Sequence, residues 1–109
     1  MKFIDLFCGI GNFTLPIATL ASEVVGIEGS SVLTERAMQN AVVNGLEKKL
    51  SFGTSNLFEV TADYFRKMGK FDRMLIDPPR DGAMAVCEAL AEISRTNKDF
   101  LPKRIVYVS

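Results

Sequence analysis

Histidine is absent from the 109 residues. That excludes a His-based catalytic triad and any imidazole metal site built from this chain. Cysteine is scarce: Cys8 and Cys87 are the only two, far apart and in no metal-ligand spacing. No metal site is expected, and a reduced, cytoplasmic setting is the simplest reading. No apolar run approaches the ~18 residues of a membrane-spanning helix, so no membrane partner is expected. No basic start leads into an apolar signal segment, which argues against secretion. A charge excess is missing too, since Lys+Arg and Asp+Glu both total 13. That is not the footprint of an autonomous nucleic-acid binder. If the substrate is RNA, another part of the protein holds most of it. Repeats, linkers and low-complexity segments are also lacking.

What remains is an ordinary globular composition, 48% hydrophobic and 24% charged. At this length it is one domain or a piece of one. Short apolar strands alternate with helical stretches. The pattern predicts strands over Lys2 to Phe7, Glu23 to Glu28, Leu50 to Thr54, Phe71 to Asp77 and Arg104 to Val108. Helices are predicted over Asn12 to Ala21, with Phe13, Ile17 and Leu20 on one face, and from a Ser30 or Ser31 cap to Asn44-Gly45. Two more follow, over Leu57 to Met68 and from Asp81-Gly82 through about Ile93. This order implies an α/β fold with a mostly parallel sheet flanked by helices. The chain stops on a strand, which reads as a fragment truncated after the fifth strand.

The chemistry gathers at strand ends. Asp5 is followed by Gly9 and Gly11, which let the backbone turn tightly beside a ligand. Thr14 stands where a dinucleotide fingerprint would have its third glycine. A carboxylate at Asp5 would repel a pyrophosphate but attract a ligand carrying ammonium and sulfonium groups. Glu28 ends the second strand, where a carboxylate can accept hydrogen bonds from both hydroxyls of a ribose. Asn56 follows the third strand, where it can bond an adenine edge or cap the next helix. Asp77-Pro78-Pro79-Arg80 ends the fourth strand, and the prolines fix an extended backbone that aims Asp77 into the cleft. Arg80 occupies the position of the aromatic in the related motif of amine methylases, which argues against amine methylation. It can pair with a phosphate or with an acidic neighbour. Cys8 and Cys87 read as packed thiols, Cys87 as part of the core. Nothing nearby in sequence would activate Cys8.

Taken together, these segments resemble one family. Asp5-Leu6-Phe7-Cys8-Gly9-Ile10-Gly11-Asn12-Phe13-Thr14-Leu15-Pro16, Val25-Gly26-Ile27-Glu28-Gly29, Asn40 to Leu46, Asn56-Leu57, Asp77-Pro78-Pro79-Arg80 and Arg104-Ile105-Val106-Tyr107-Val108-Ser109 are similar to the RNA uracil-5 methyltransferases. The likeness is greatest to the branch that methylates 23S ribosomal RNA. It implies a partial class I methyltransferase (Rossmann-like) fold, S-adenosylmethionine as donor and RNA as partner, with residues 1–109 as the donor-binding core. It implies donor contacts from Asp5, Phe7, Gly9, Gly11, Asn12, Glu28, Asn56 and Asp77. Asp77 would lie between the donor and the target uracil, the one catalytic-site residue that the chain supplies.

In that family a cysteine thiolate adds to uracil C6, C5 takes the methyl group, and a glutamate removes the C5 proton. The resemblance places that cysteine just after Ser109 and the glutamate further on. It also leaves outside the chain the RNA-binding domain and the iron–sulfur cysteines of many members. The isolated chain is therefore expected to be inactive, and to self-associate through an exposed sheet edge. Three other readings stay open: a methyltransferase with another target, a dinucleotide-binding module, and a folded piece without ligand affinity.

Overall fold

The computed structural model describes residues 1–108. Ser109, the last residue of one motif above, lies outside them. Five strands form one parallel sheet in the order β3-β2-β1-β4-β5. They are β1 (Lys2–Leu6), β2 (Glu23–Glu28), β3 (Leu50–Thr54), β4 (Arg73–Ile76) and β5 (Arg104–Tyr107). Four helices alternate with them: α1 (Thr14–Ala18), α2 (Ser31–Val43), α3 (Ala62–Met68) and α4 (Met84–Thr96). The inner strands β1, β2 and β4 are short, largely apolar runs that are mostly buried, whereas β5 at one edge is exposed throughout. One core layer joins the sheet to α3 and α4 through residues such as Ile4, Leu6, Phe65, Ile76, Val86 and Ile93. The other joins it to α1 and α2 through Ala18, Val24, Ala41 and Leu50. Burial of these side chains, at ~1.5–3 kcal/mol for each large one, is the main driving force for the fold.

The strand order reverses between β1 and β4. From β1 the chain steps outward to β2 and β3, then returns to the other side of β1 for β4. A crevice opens outside the carboxyl ends of the strands at such a switch point, and ligands bind there in open α/β sheets.

Several element boundaries differ from the sequence reading. The first helix is expected from Asn12 to Ala21 but spans Thr14–Ala18. Gly9 (φ 57°) and Gly11 (φ 91°) form a tight turn that occupies the preceding residues. The Gly11 amide donates to the Cys8 carbonyl at 3.0 Å. The inward face is then Thr14 and Ala18, and Phe13 (50% exposed) and Leu20 (85%) lie outside it. Pro16 stays in the first turn, where its missing N–H costs little. The third helix starts at Ala62 rather than Leu57, because Asn56 Oδ1 accepts from the Phe58 amide at 3.0 Å and holds a turn there. Gly69, at φ 93°, ends it as expected. The fourth strand is Arg73–Ile76 and does not reach Phe71 or Asp77. In α4 the inward positions are Val86, Ala89 and Ile93, so Cys87, one step round the helix, is exposed rather than part of the core.

Candidate functional site

At the switch point lies a cavity of ≈ 680 Å³, within the range of small-molecule sites. Phe7 after β1, Glu28 at the end of β2, Asn56 after β3 and Asp77 after β4 all line it. Four residues expected at the site are thus brought together from four successive strand ends. The other four do not reach the wall: Asp5 lies buried in β1, Gly9 and Gly11 form the turn, and Asn12 is exposed.

Glu28 is held from both sides. Its Oε1 accepts the Gly9 amide at 3.3 Å and its Oε2 accepts the Ser30 amide at 3.0 Å. Each oxygen keeps a further acceptor site for a ligand hydroxyl. Gly9 therefore acts on the site through Glu28. Ser30 also caps α2, its Oγ accepting from the Leu33 amide at 3.4 Å. Asn56 both caps the turn and lines the cavity: its Oδ1 takes the Phe58 amide, and its amide nitrogen has no partner among the described residues.

Asp5 is 1% exposed. Its Oδ2 accepts from the Thr14 hydroxyl at 2.7 Å, and its Oδ1 has no partner among the described residues. Burial raises its pKa to about 6; the Thr14 bond opposes that rise and the Asp77 carboxylate adds to it. Such an orphaned acceptor among carboxylates is a place for a cation or a bridging donor. Cys8 is buried beside it, and burial above all, with the Asp5 and Glu28 charges, pushes its thiol up to about 12. A thiol in that state is not a nucleophile. It packs against Gly26, where an added Cβ would sit 3.0 Å from the Cys8 sulfur.

Two features of the wall were not apparent in the sequence. Phe58 joins Phe7 across the cavity with ring centroids 5.9 Å apart and planes at 57°. The only sequence signal was an aromatic two residues past Asn56, inside a stretch read as helix. Phe7 itself holds φ 61°, a left-handed conformation that a bulky residue adopts at a cost of ~1–3 kcal/mol. Strain of that kind persists where the surrounding structure imposes it, here at the edge of the ligand crevice.

The carboxylates set the ligand class. Glu28 and Asp77 line the crevice and Asp5 lies buried within reach of the Asp77 charge, and no cation pairs with them among the described residues. Arg80 is exposed and makes no ion pair there either. An anionic pyrophosphate does not fit this set, whereas a nucleoside bearing positive charge does. No group of three or more His, Cys, Asp or Glu residues able to hold a metal occurs among the described residues. No helix among them is long and apolar enough to cross a membrane.

Comparison with known proteins places the fold in a family. The 23S rRNA (uracil(1939)-C(5))-methyltransferase RlmD of Cupriavidus metallidurans is 64% identical over 108 residues, which is 99% of this chain and 23% of that protein. Its counterpart in Paraburkholderia xenovorans is 63% identical over the same shares. Among solved structures, the tRNA (uracil-54, C5)-methyltransferase of Pyrococcus abyssi in complex with S-adenosyl-L-homocysteine superposes with a TM-score of 0.74 at 25% identity, over 97% of this chain and 24% of that one. The chain thus spans about a quarter of the length of these relatives. The model of a methyltransferase domain matches residues 1–106, taking in all four helices and the whole sheet but its last residue. The chain belongs to the methyltransferase domain family.

Proposed function

We propose that this chain is the donor-binding core of an RNA uracil-5 methyltransferase that acts on 23S ribosomal RNA. The observation that carries this is the convergence of Phe7, Glu28, Asn56 and Asp77 on one acid-rich cavity at the switch point. The 61–64% identity to 23S rRNA uracil-C5 methyltransferases along almost the whole chain supports the choice of target. A ribosomal RNA substrate supports a cytoplasmic setting for the reaction.

The residues divide the work by their chemistry. When bound, S-adenosylmethionine supplies an electrophilic methyl group. Glu28, fixed by the Gly9 and Ser30 amides, accepts the ribose hydroxyls. Phe7 and Phe58 offer apolar faces and the Asn56 amide a donor to the base. Asp5 supplies negative charge beneath the methionine end, where its unpartnered oxygen takes a donor directly or through water. Asp77 sits at the rim that the donor cavity shares with a second cavity, of ≈ 370 Å³, lined by Arg80 and Tyr107. This shared rim supports a position for Asp77 between donor and target. Neither cysteine of the chain serves as the nucleophile: Cys8 is buried and un-ionised, and Cys87 lies on α4 away from the cavity. The isolated chain is therefore expected to bind donor without methylating uracil, and to associate with copies of itself through β5.

Calorimetric titration of S-adenosylhomocysteine into the chain and into Glu28→Ala tests the donor site. Binding weakened by ~1–3 kcal/mol in the variant is the expected result, from the loss of charged hydrogen bonds. Binding of NAD in its place, or an unaffected variant, would sink it.

A further inference from the structure

We propose that the amino-terminal end of the sheet, opposite the donor cavity, is a second RNA-contacting surface that grips phosphates. This rests on the reading of RNA as substrate. Backbone bonds stitch three residues into a row across this end: the Asp72 amide donates to the Lys2 carbonyl at 2.8 Å, and the Lys103 amide to the Asp72 carbonyl at 2.9 Å. Arg73 and Arg104 lie in register one residue further along β4 and β5. Lys70 stands in the turn before β4, and a Cβ on the neighbouring Gly69 would be 3.9 Å from the Lys2 Nζ. Five cations therefore crowd the starts of three adjacent strands, which run ~4.8 Å apart.

None of the five makes an ion pair among the described residues. Lys2 instead holds its ammonium 4.8 Å from the centre of the Phe71 ring. Two carboxylates stand at this end: Glu23, which opens β2 in register with Lys2 and makes no ion pair among the described residues, and Asp72, whose Oδ2 is taken by the Lys2 amide at 2.7 Å. That bond, then the fields of the chain's amino group, Lys103 and Lys70, hold its carboxyl below the ordinary range. Lys70, Arg73, Lys103 and Arg104 are all exposed, and the last three, with Met1 and Asp72, rim a concavity of ≈ 380 Å³. A net charge of zero thus conceals a local excess, since five cations stand against Glu23 and Asp72 at the amino ends of the strands, while Glu28 and Asp77 line the cavity at the carboxyl ends. Unpaired cations rimming a shallow concavity suit a phosphate backbone, whose contacts position without reading sequence. A ribosomal RNA is large enough to reach past the modified nucleotide to this end.

The test uses fluorescence anisotropy of a labelled single-stranded RNA of about 20 nucleotides with the full chain, across salt from about 50 mM upward. The substitutions Lys70→Glu, Lys103→Glu and Arg104→Glu are made together, with Arg36→Glu, Lys67→Glu and Arg95→Glu as the matched set elsewhere. The expected result is a loss of about tenfold or more in affinity for the first set and a salt slope shallower by ~2, at ~0.7 per phosphate contact for a single strand. The matched set should bind nearly as the native chain does. A glutamine version of the first set replaces the reversals if those fail to fold. The surface is refuted if the native chain does not bind RNA, if both sets lose equally, or if poly-glutamate displaces the RNA as well as unlabelled RNA does. S-adenosylhomocysteine titrated into the same proteins keeps the two readings apart: retained donor binding with unchanged RNA binding overturns this surface alone.

Discussion

Asp5 is a carboxylate whose burial costs the fold, and its role in the proposed function predicts what that cost serves. Its ordinary pKa of 3.8 rises to about 6 in the native chain. Between those values the folded state holds a proton that the unfolded state has released. The group's stabilising contribution is therefore complete below 3.8 and is lost as the pH rises through 6. That rise in pKa corresponds to ~3 kcal/mol given up at neutral pH before any donor binds. Asp5→Asn keeps the shape and can still accept from Thr14, but it carries no charge. Urea unfolding should find the variant more stable than the native chain by ~1–3 kcal/mol near pH 7.5, with the gap closing towards pH 4. Donor affinity should fall in the same variant. A variant less stable than the native chain at both pH values would show that the orphaned oxygen costs nothing. The acidic residue and its affinity for positive charge were legible in the sequence. Its burial was not, because the Thr14 bond forms only once the Gly9–Gly11 turn folds α1 back over β1.

Among the elements, strands were more legible than helices. Four of the five strands lie within one residue of the expected bounds, since each is a short apolar run with polar or turn residues on both sides. The first and third helices were read too long. Apolar spacing alone cannot reveal a paired-glycine turn that consumes the start of one helix, or an Asn56 side chain that bonds backbone in place of the first turn of the other. Within β2, Gly26 carries a constraint that spacing did not expose. It lies in register with Asp5 on one side and Phe52 on the other. A Cβ there would stand 2.8 Å from two carbons of the Phe52 ring and 3.0 Å from the Cys8 sulfur. Gly26→Ala should gain ~0.5–1 kcal/mol from strand entropy. Overpacking should cost more, ~1–3 kcal/mol, and also shift the Cys8 turn that carries Gly9 to Glu28. The expected result is a lower melting temperature together with weaker binding of S-adenosylhomocysteine. A variant that melts at or above the native temperature would mean that the Phe52 ring simply turns aside.

For the molecule as a whole, alternation of strand and helix announced a parallel sheet, but strand order becomes visible only when the chain is folded. That order leaves β5 at one edge and β3 at the other. The two edges differ. β3 has Leu50 buried beneath α2, whereas every residue of β5 is exposed and Ile105, Val106 and Tyr107 show 40%, 55% and 45% of their surface. One side of β5 is satisfied by β4, and its other row of backbone donors and acceptors has no strand beside it among the described residues. Apolar side chains on an open, unpaired edge favour strand pairing between chains. Light scattering of the chain should therefore show a mass that rises with concentration. Val106→Lys places a charge in the middle of that edge, where lysine is a natural guard against pairing. It should return the mass to that of a monomer, with the donor site untouched because β5 contributes nothing to the cavity wall. A native chain that stays monomeric up to its solubility limit would mean that β5 protects itself despite its exposure. Association that survives Val106→Lys would move the contact to another apolar surface, such as the exposed Val42 and Val43 at the end of α2.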